Sequence, residues 1–135
     1  MQFCRMVRLI ILLFSFLLVG CSGETSYETF IINNSDREFK ILLYNNGFPR
    51  GDTLRLSPNS IKTVSRGSSN RAEEDAPDCA ERIDSAFVEI GGGGILDKDI
   101  SDGSNWEVKT DRTQSIPRKF DHECTFTING SDISI

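Results

Sequence analysis

The chain has 135 residues, with 15 lysines and arginines against 20 aspartates and glutamates and a formal net charge of −5. That length suits one folded domain and leaves little room for a second. An acidic balance without a basic cluster excludes nucleic-acid binding by counterion release.

The chain opens with Arg5 and Arg8, then an apolar run from Leu9 to Val19. Those eleven residues would make roughly 16 Å of helix, against a bilayer core of about 30 Å. Gly20, Ser22 and Gly23 end the run, and no second apolar stretch of that length follows. A positive start, a short greasy core and small residues read as a secretory signal peptide over residues 1–20, not as a transmembrane helix. Leu18-Val19-Gly20-Cys21 resembles the lipobox of bacterial lipoproteins. The resemblance implies that Cys21 is acylated and becomes the first residue of the mature chain, which is then held in a membrane by its acyl chains. Ser22, where an aspartate would imply inner-membrane retention, implies the outer membrane. Ser22–Ser26 reads as a tether of at most about 17 Å, so the domain over residues 27–135 should hug the membrane.

From Cys21 onward 115 residues remain, with 13 basic against 20 acidic side chains. Such a chain should gain nothing overall from anionic headgroups. Besides the anchor it keeps two cysteines, Cys79 and Cys124. The compartment implied by the leader is oxidising, where an even pair reads as a disulfide. The alternative is free or metal-bound thiols, and a zinc site would need further ligands.

Next come segments with strand periodicity. Tyr27–Asn33 reads as a strand with Phe30 and Ile32 on the core face. Asn34-Ser35-Asp36 is turn chemistry, and Glu38–Asn45 is a second strand with Phe39, Ile41 and Leu43 inward. Thr53–Leu56 and Ile61–Ser65 flank a turn at Ser57-Pro58-Asn59. Arg66–Pro77 lacks periodicity and reads as a long loop, and Asp78–Arg82 as one helical turn. Ser85–Ile90 and Ile95–Ile100 read as a hairpin joined by Gly91–Gly94, with Phe87, Val88 and Ile90 in the core. Trp106–Lys109 and Cys124–Ile128 complete the set.

About seven to eight short strands separated by turns predict an all-β, two-sheet sandwich. Thr29–Val64 resembles the opening of immunoglobulin-like sandwich modules: a strand, an Asn/Ser/Asp turn, a second strand and a Leu-x-Pro-x-Ser turn. The resemblance implies an immunoglobulin-like sandwich behind the signal helix. The whole chain also resembles small Gram-negative envelope lipoproteins that end in a Thr-Phe-Thr-Ile strand and polar residues.

Candidate chemistry is sparse. Gly91–Gly94 lacks the Gly-Lys-Ser/Thr and helix of a phosphate loop. Asp97, Asp99 and Asp102 resemble part of a calcium loop. Counted from Asp97, however, position six is Asp102 and position twelve Val108, so the segment reads first as a solvated acidic loop. His122, the only histidine, lies in Asp121-His122-Glu123-Cys124. On a strand its neighbours point to the other face and cannot orient its ring. No Gly-x-Ser-x-Gly elbow supplies an activated serine. Arg50-Gly51-Asp52 matches the integrin tripeptide, and Asp52-Thr53-Leu54 and Asp84-Ser85-Ala86 match a short bacterial O-glycosylation signal. Trp106 reads as core, with sugar stacking on an exposed loop as the alternative.

The expectation is therefore a lipid-anchored, non-catalytic binding or assembly module of the outer membrane, without a required cofactor. Envelope proteins or glycans are its expected partners. One alternative is a glycan-binding or small hydrolytic domain using residues 97–106; another is a purely structural envelope lipoprotein.

Overall fold

In a computed structural model of the chain, residues 23–135 are described, Asp52 excepted. The leader, Cys21 and the Asp52 of the two motifs that contain it lie outside the described residues. The described strands are β1 (Glu24–Asn34), β2 (Phe39–Asn45), β3 (Phe48–Pro49), β4 (Leu54–Leu56), β5 (Ser60–Ser69), β6 (Ser85–Ile90), β7 (Ile95–Leu96), β8 (Glu107–Ser115), β9 (Arg118–Asn129) and β10 (Ile133–Ser134). The fold is an all-β sandwich. The first sheet runs β5-β1-β9-β8, with β1 parallel to β9 and antiparallel to β5. In the second sheet β2 is central, with β3 and β4 on one side and β6 on the other. A short β7–β10 ladder closes one end. The helices among the described residues are two three-residue 3-10 turns, and none is long and apolar enough to cross a membrane.

Alternation decides which side chains meet between the sheets. β2 sends Phe39, Ile41 and Leu43 inward and β9 sends Phe126 and Ile128, all buried. Each such residue contributes about 1.5–3 kcal/mol of transfer free energy. β1 departs from expectation by one residue. It buries Ile31 and Asn33, while Phe30 and Ile32 are only half-buried on the opposite face. Three consecutive apolar residues do not choose a face by themselves, and a one-residue slip moves all of them. Asn33 tips the choice inward: its side chain donates to the carbonyls of Arg37 (2.6 Å) and Ser57 (2.9 Å) and accepts from Ser35 N (2.9 Å) and Ser35 Oγ (2.7 Å). Phe87 also departs: alternation with Ala86, Val88 and Ile90 turns it outward, opposite Leu42, and leaves it 60% exposed.

Several segments differ from the sequence reading. β1 starts at Glu24, so residues 24–26, expected in the tether, are strand paired with both β5 and β9. Residues 66–69, expected in a loop, extend β5, and a long β8–β9 hairpin occupies 107–129. Gly91–Gly94 does not join a hairpin, because β7 pairs with β10 and not with β6. Positive φ at Gly92, Gly93 and Gly94 turns the chain away from β6. At Gly94 a Cβ would stand 2.8 Å from the Ser134 carbonyl oxygen, so the close approach to β10 also requires glycine. Finally, Asp78–Arg82 forms two tight turns, closed by Glu81 N to Asp78 O and Ile83 N to Ala80 O, in place of a helical turn.

Candidate functional site

The inner face of the first sheet carries the core at Ile31 and Phe126. Further back along β1, at Thr25–Thr29, its cover is the segment between β5 and β6. Thr25 is fully buried there; its hydroxyl donates to Arg71 O (2.7 Å) and accepts from Glu73 N (2.8 Å). Nearby, a disulfide joins Cys79 of the segment to Cys124 of β9. The segment thus spans the sheet between two fixing points and leaves an open cleft of about 500 Å3 beside the disulfide. That volume falls in the range of small-ligand sites.

His122 lies in the floor, 2% exposed, its ring stacked on Tyr27 with centroids 5.4 Å apart. Its Nε2 lies 2.8 Å from the Glu73 carbonyl oxygen, which can only accept, so Nε2 carries a proton. Nδ1 meets the Thr110 hydroxyl at 2.8 Å. Both ring nitrogens are therefore engaged, and the ring serves as a structural strut. The Tyr27 hydroxyl donates to the Glu73 carboxylate. Burial, then the bond to Glu73 and its charge, push the tyrosine up to about 12. The same bond from Tyr27, with one from Ser69, holds Glu73 below its ordinary value.

The upper walls are charged with both signs. Arg50, Arg82, Asp78 and Glu81 form the rim. Arg50 and Arg82 can each present a planar fork of donors to a carboxylate or amide. The Arg66–Glu28 ion pair (2.9 Å) stands on the other face of the sheet, because Glu28 alternates with Tyr27 along β1 and is level with exposed Glu123.

The other candidates lie elsewhere. Asp99 Oδ1 accepts from Ser101 N (2.8 Å) and Ser101 Oγ (2.6 Å). Asp102 caps the Gly103–Asn105 turn by accepting from Ser104 N at 2.9 Å. Bonds from the Ser104 side chain and backbone hold Asp102 below the usual carboxylate range. Asp97 Oδ1 accepts from Ser134 Oγ at 2.8 Å. Each carboxylate is thus spent on a local turn or on the β10 strand. Among the described residues no three of His, Cys, Asp and Glu are grouped to hold a metal ion. Ser85 is an exposed residue of β6, and Arg50 of the integrin-like tripeptide faces the cleft.

Trp106 is 7% exposed, tilted against Phe126 at 5.3 Å, and its Nε1 donates to Ile100 O at 2.8 Å. Its faces are occupied by packing, so it offers no platform to a sugar. Trp106→Phe keeps most of the volume but orphans the Ile100 carbonyl. It should lower unfolding free energy by about 1–3 kcal/mol, read by urea denaturation with circular dichroism because the variant lacks the sole tryptophan.

Sequence reasoning missed Tyr27, Glu73 and Arg82 as site residues. They are up to 55 positions apart and meet only because the segment folds back over the sheet. Comparison with family models, with curated proteins and with solved structures gives no match. What the fold and site define is a disulfide-bonded β-sandwich with a polar cleft beside the disulfide, toward the end where β1 begins.

Proposed function

We propose that the mature chain is a lipid-anchored protein of the bacterial outer membrane, whose sandwich is a non-catalytic binding module. The observation that carries the binding reading is the polar cleft over His122, with guanidinium and carboxylate groups at its rim and its histidine locked at both nitrogens. Such walls suit a polar segment of an envelope protein bearing carboxylates or amides. Anchoring rests on the lipobox resemblance at Cys21. It also fits the strand that begins at Glu24, only three residues later. Tyr27 and Thr29 lie six and eight residues beyond Cys21, roughly 20–26 Å along an extended chain. A partner reaching the cleft would therefore be itself at the membrane surface.

Cys21→Ser in the full chain should abolish acylation and move the protein out of the membrane fraction. A variant that still pellets with membranes would defeat the anchor. For the cleft, a photoreactive side chain at Glu81, on its rim, should yield a discrete cross-linked adduct in growing cells. The same group at Phe87, on the far face of the second sheet, should not. Equal labelling from both sites, or none from position 81, would overturn the binding reading.

A further inference from the structure

The net charge of the chain conceals a local reversal. β1 and β9 run parallel with Glu24 beside Lys119, so the described chain enters the sheet next to the start of β9. Gly23 is wedged there: a Cβ on it would lie 2.5 Å from the Arg118 carbonyl oxygen and 2.3 Å from Ala72 Cβ. Arg118 opens β9 directly after the two-residue turn Ile116-Pro117, and it pairs with Ser115 at the end of β8. The tip of the β8–β9 hairpin therefore stands at the end of the molecule where the chain arrives from Cys21. Only Ser22 separates Cys21 from Gly23, and the two steps between them reach at most about 7 Å. An acyl chain on Cys21 would enter its bilayer within that distance of Gly23.

The tip carries Ile116, 80% exposed, among the most exposed large apolar side chains of the protein. Around it the charges are mostly positive. Arg118 follows in the chain. Arg112 lies on β8 opposite Phe120, and Phe120 is level with Thr25. Arg71 lies at the same level, its carbonyl taken by the Thr25 hydroxyl. All three arginines are exposed. Lys119 and Glu24 neutralise each other at 2.7 Å. The next acidic groups, Asp111 on β8 and Asp121 on β9, face each other one row further in; Asp111 is paired with Lys109 at 2.7 Å and Asp121 is bonded to Ser26.

An exposed aliphatic tip ringed by arginines is what a phospholipid surface with anionic headgroups accepts. The side chain enters the acyl boundary, and the guanidinium groups meet the phosphates. We infer that Ile116, with Arg71, Arg112 and Arg118, forms a second membrane contact that seats the sandwich on the bilayer beside its lipid anchor. The inference rests on the proposed anchoring for its orientation, and the charge and exposure stand apart from that reading. Two contacts at one end would fix the tilt of the domain and hold the cleft at a set height, where acyl chains on a short flexible link would let it swing.

The test uses the full chain, isolated from membranes and reconstituted into vesicles of phosphatidylethanolamine and phosphatidylglycerol with brominated or plain acyl chains. Ile116→Trp places a reporter at the tip. Ile95→Trp places one on β7, a position 70% exposed and away from the tip, and buried Trp106 is a constant background. Bromine should cut emission from position 116 by about twofold or more, and leave position 95 unchanged, if the tip reaches the acyl region. Arg112→Glu with Arg118→Glu, both on the surface, should restore most of the emission. Equal emission from position 116 in both lipids, or equal quenching at both positions, would overturn the contact. The mass of the amino-terminal peptide reads the anchor separately. An acylated chain unquenched at 116 rejects the tip and keeps the anchor; an unacylated chain quenched at 116 does the reverse.

Discussion

Replacing Cys79 and Cys124 together by serine is expected to cost about 4 kcal/mol of stability, a large share of the roughly 5–15 kcal/mol of a typical domain. The two cysteines are 45 positions apart, so the bond closes a long loop and removes much of the freedom of the unfolded chain. The native state gains as well. Cys124 is buried in the core beside Trp106 and Phe126, and Cys79 brings Ala80 and Ile83 into the same cluster. Without the bond, the segment over the first sheet keeps its ties through Thr25 and His122, but its Cys79 end is released. The cleft lies between those fixing points, so its shape should loosen before the sandwich melts. Urea denaturation monitored by circular dichroism reads the global loss. Hydrogen exchange at Ala80 and Ile83, faster in the variant than along β2, reads the local one. A loss under about 1 kcal/mol would mean that the core alone holds the segment in place.

The parts of this fold that were legible in the sequence are those where one face is apolar and the other polar. Phe39, Ile41 and Leu43 on β2 announced themselves, because Lys40 opposes them. From Phe120 on, the even positions of β9 carry Phe120, His122, Cys124, Phe126 and Ile128, all buried, and the same alternation is present in the sequence. Its first half escaped notice because His122 reads as polar, whereas here both nitrogens are satisfied and the ring packs as an aromatic. β8 was legible only at its start, where Trp106–Lys109 reads as a strand: Glu107–Ser115 is exposed along its whole length and owes its conformation to the ladder with β9. Its charged side chains suit a free sheet edge, where they oppose pairing with other chains. The cleft was illegible for a different reason. Its residues come from β1, β5, β9 and a segment without periodicity, and no short-range pattern encodes where that segment lies.

Charge shows the same contrast between composition and place. From Cys21 onward the chain is acidic in total, and that total offers anionic headgroups nothing. Strand pairing brings Arg112 and Arg118 to the level of Glu24, and the folded segment adds Arg71. Asp97, Asp99 and Asp102 lie instead in the loop after β7, whose strand partner is the carboxy-terminal β10. At the roughly 8 Å screening length of physiological salt, the basic end presents its own local field more than the sum of the chain.

Asn33→Asp should be the most damaging isosteric change in the protein. Asn33 is fully buried and makes all of its side-chain bonds inside the sandwich. Its amide nitrogen faces two carbonyl oxygens, those of Arg37 and Ser57, and so ties the turn before β2 to the turn after β4. An aspartate puts an oxygen where that nitrogen stands. Ionised, it would confront both carbonyls at 2.6 and 2.9 Å with no proton between them, at a fully buried position. Losing two donors to buried acceptors costs about 1–3 kcal/mol each, before the burial of the charge. The expected loss at neutral pH is therefore at least about 3 kcal/mol. Burial and the facing carbonyls both disfavour the anion, so the new carboxyl must have its folded pKa raised above its ordinary value near 3.9. The penalty is then full above the folded pKa and fades as pH falls through it toward the unfolded value, where the protonated acid can donate to one of the two carbonyls. The variant should thus gain stability relative to the parent on acidification, whereas Asn33→Ala, which cannot titrate, should differ from the parent by a constant amount. Urea midpoints measured from pH 7 to pH 4 decide it: a pH-independent gap for Asn33→Asp would show that the carboxylate finds solvent, and that the turn opens rather than burying the charge.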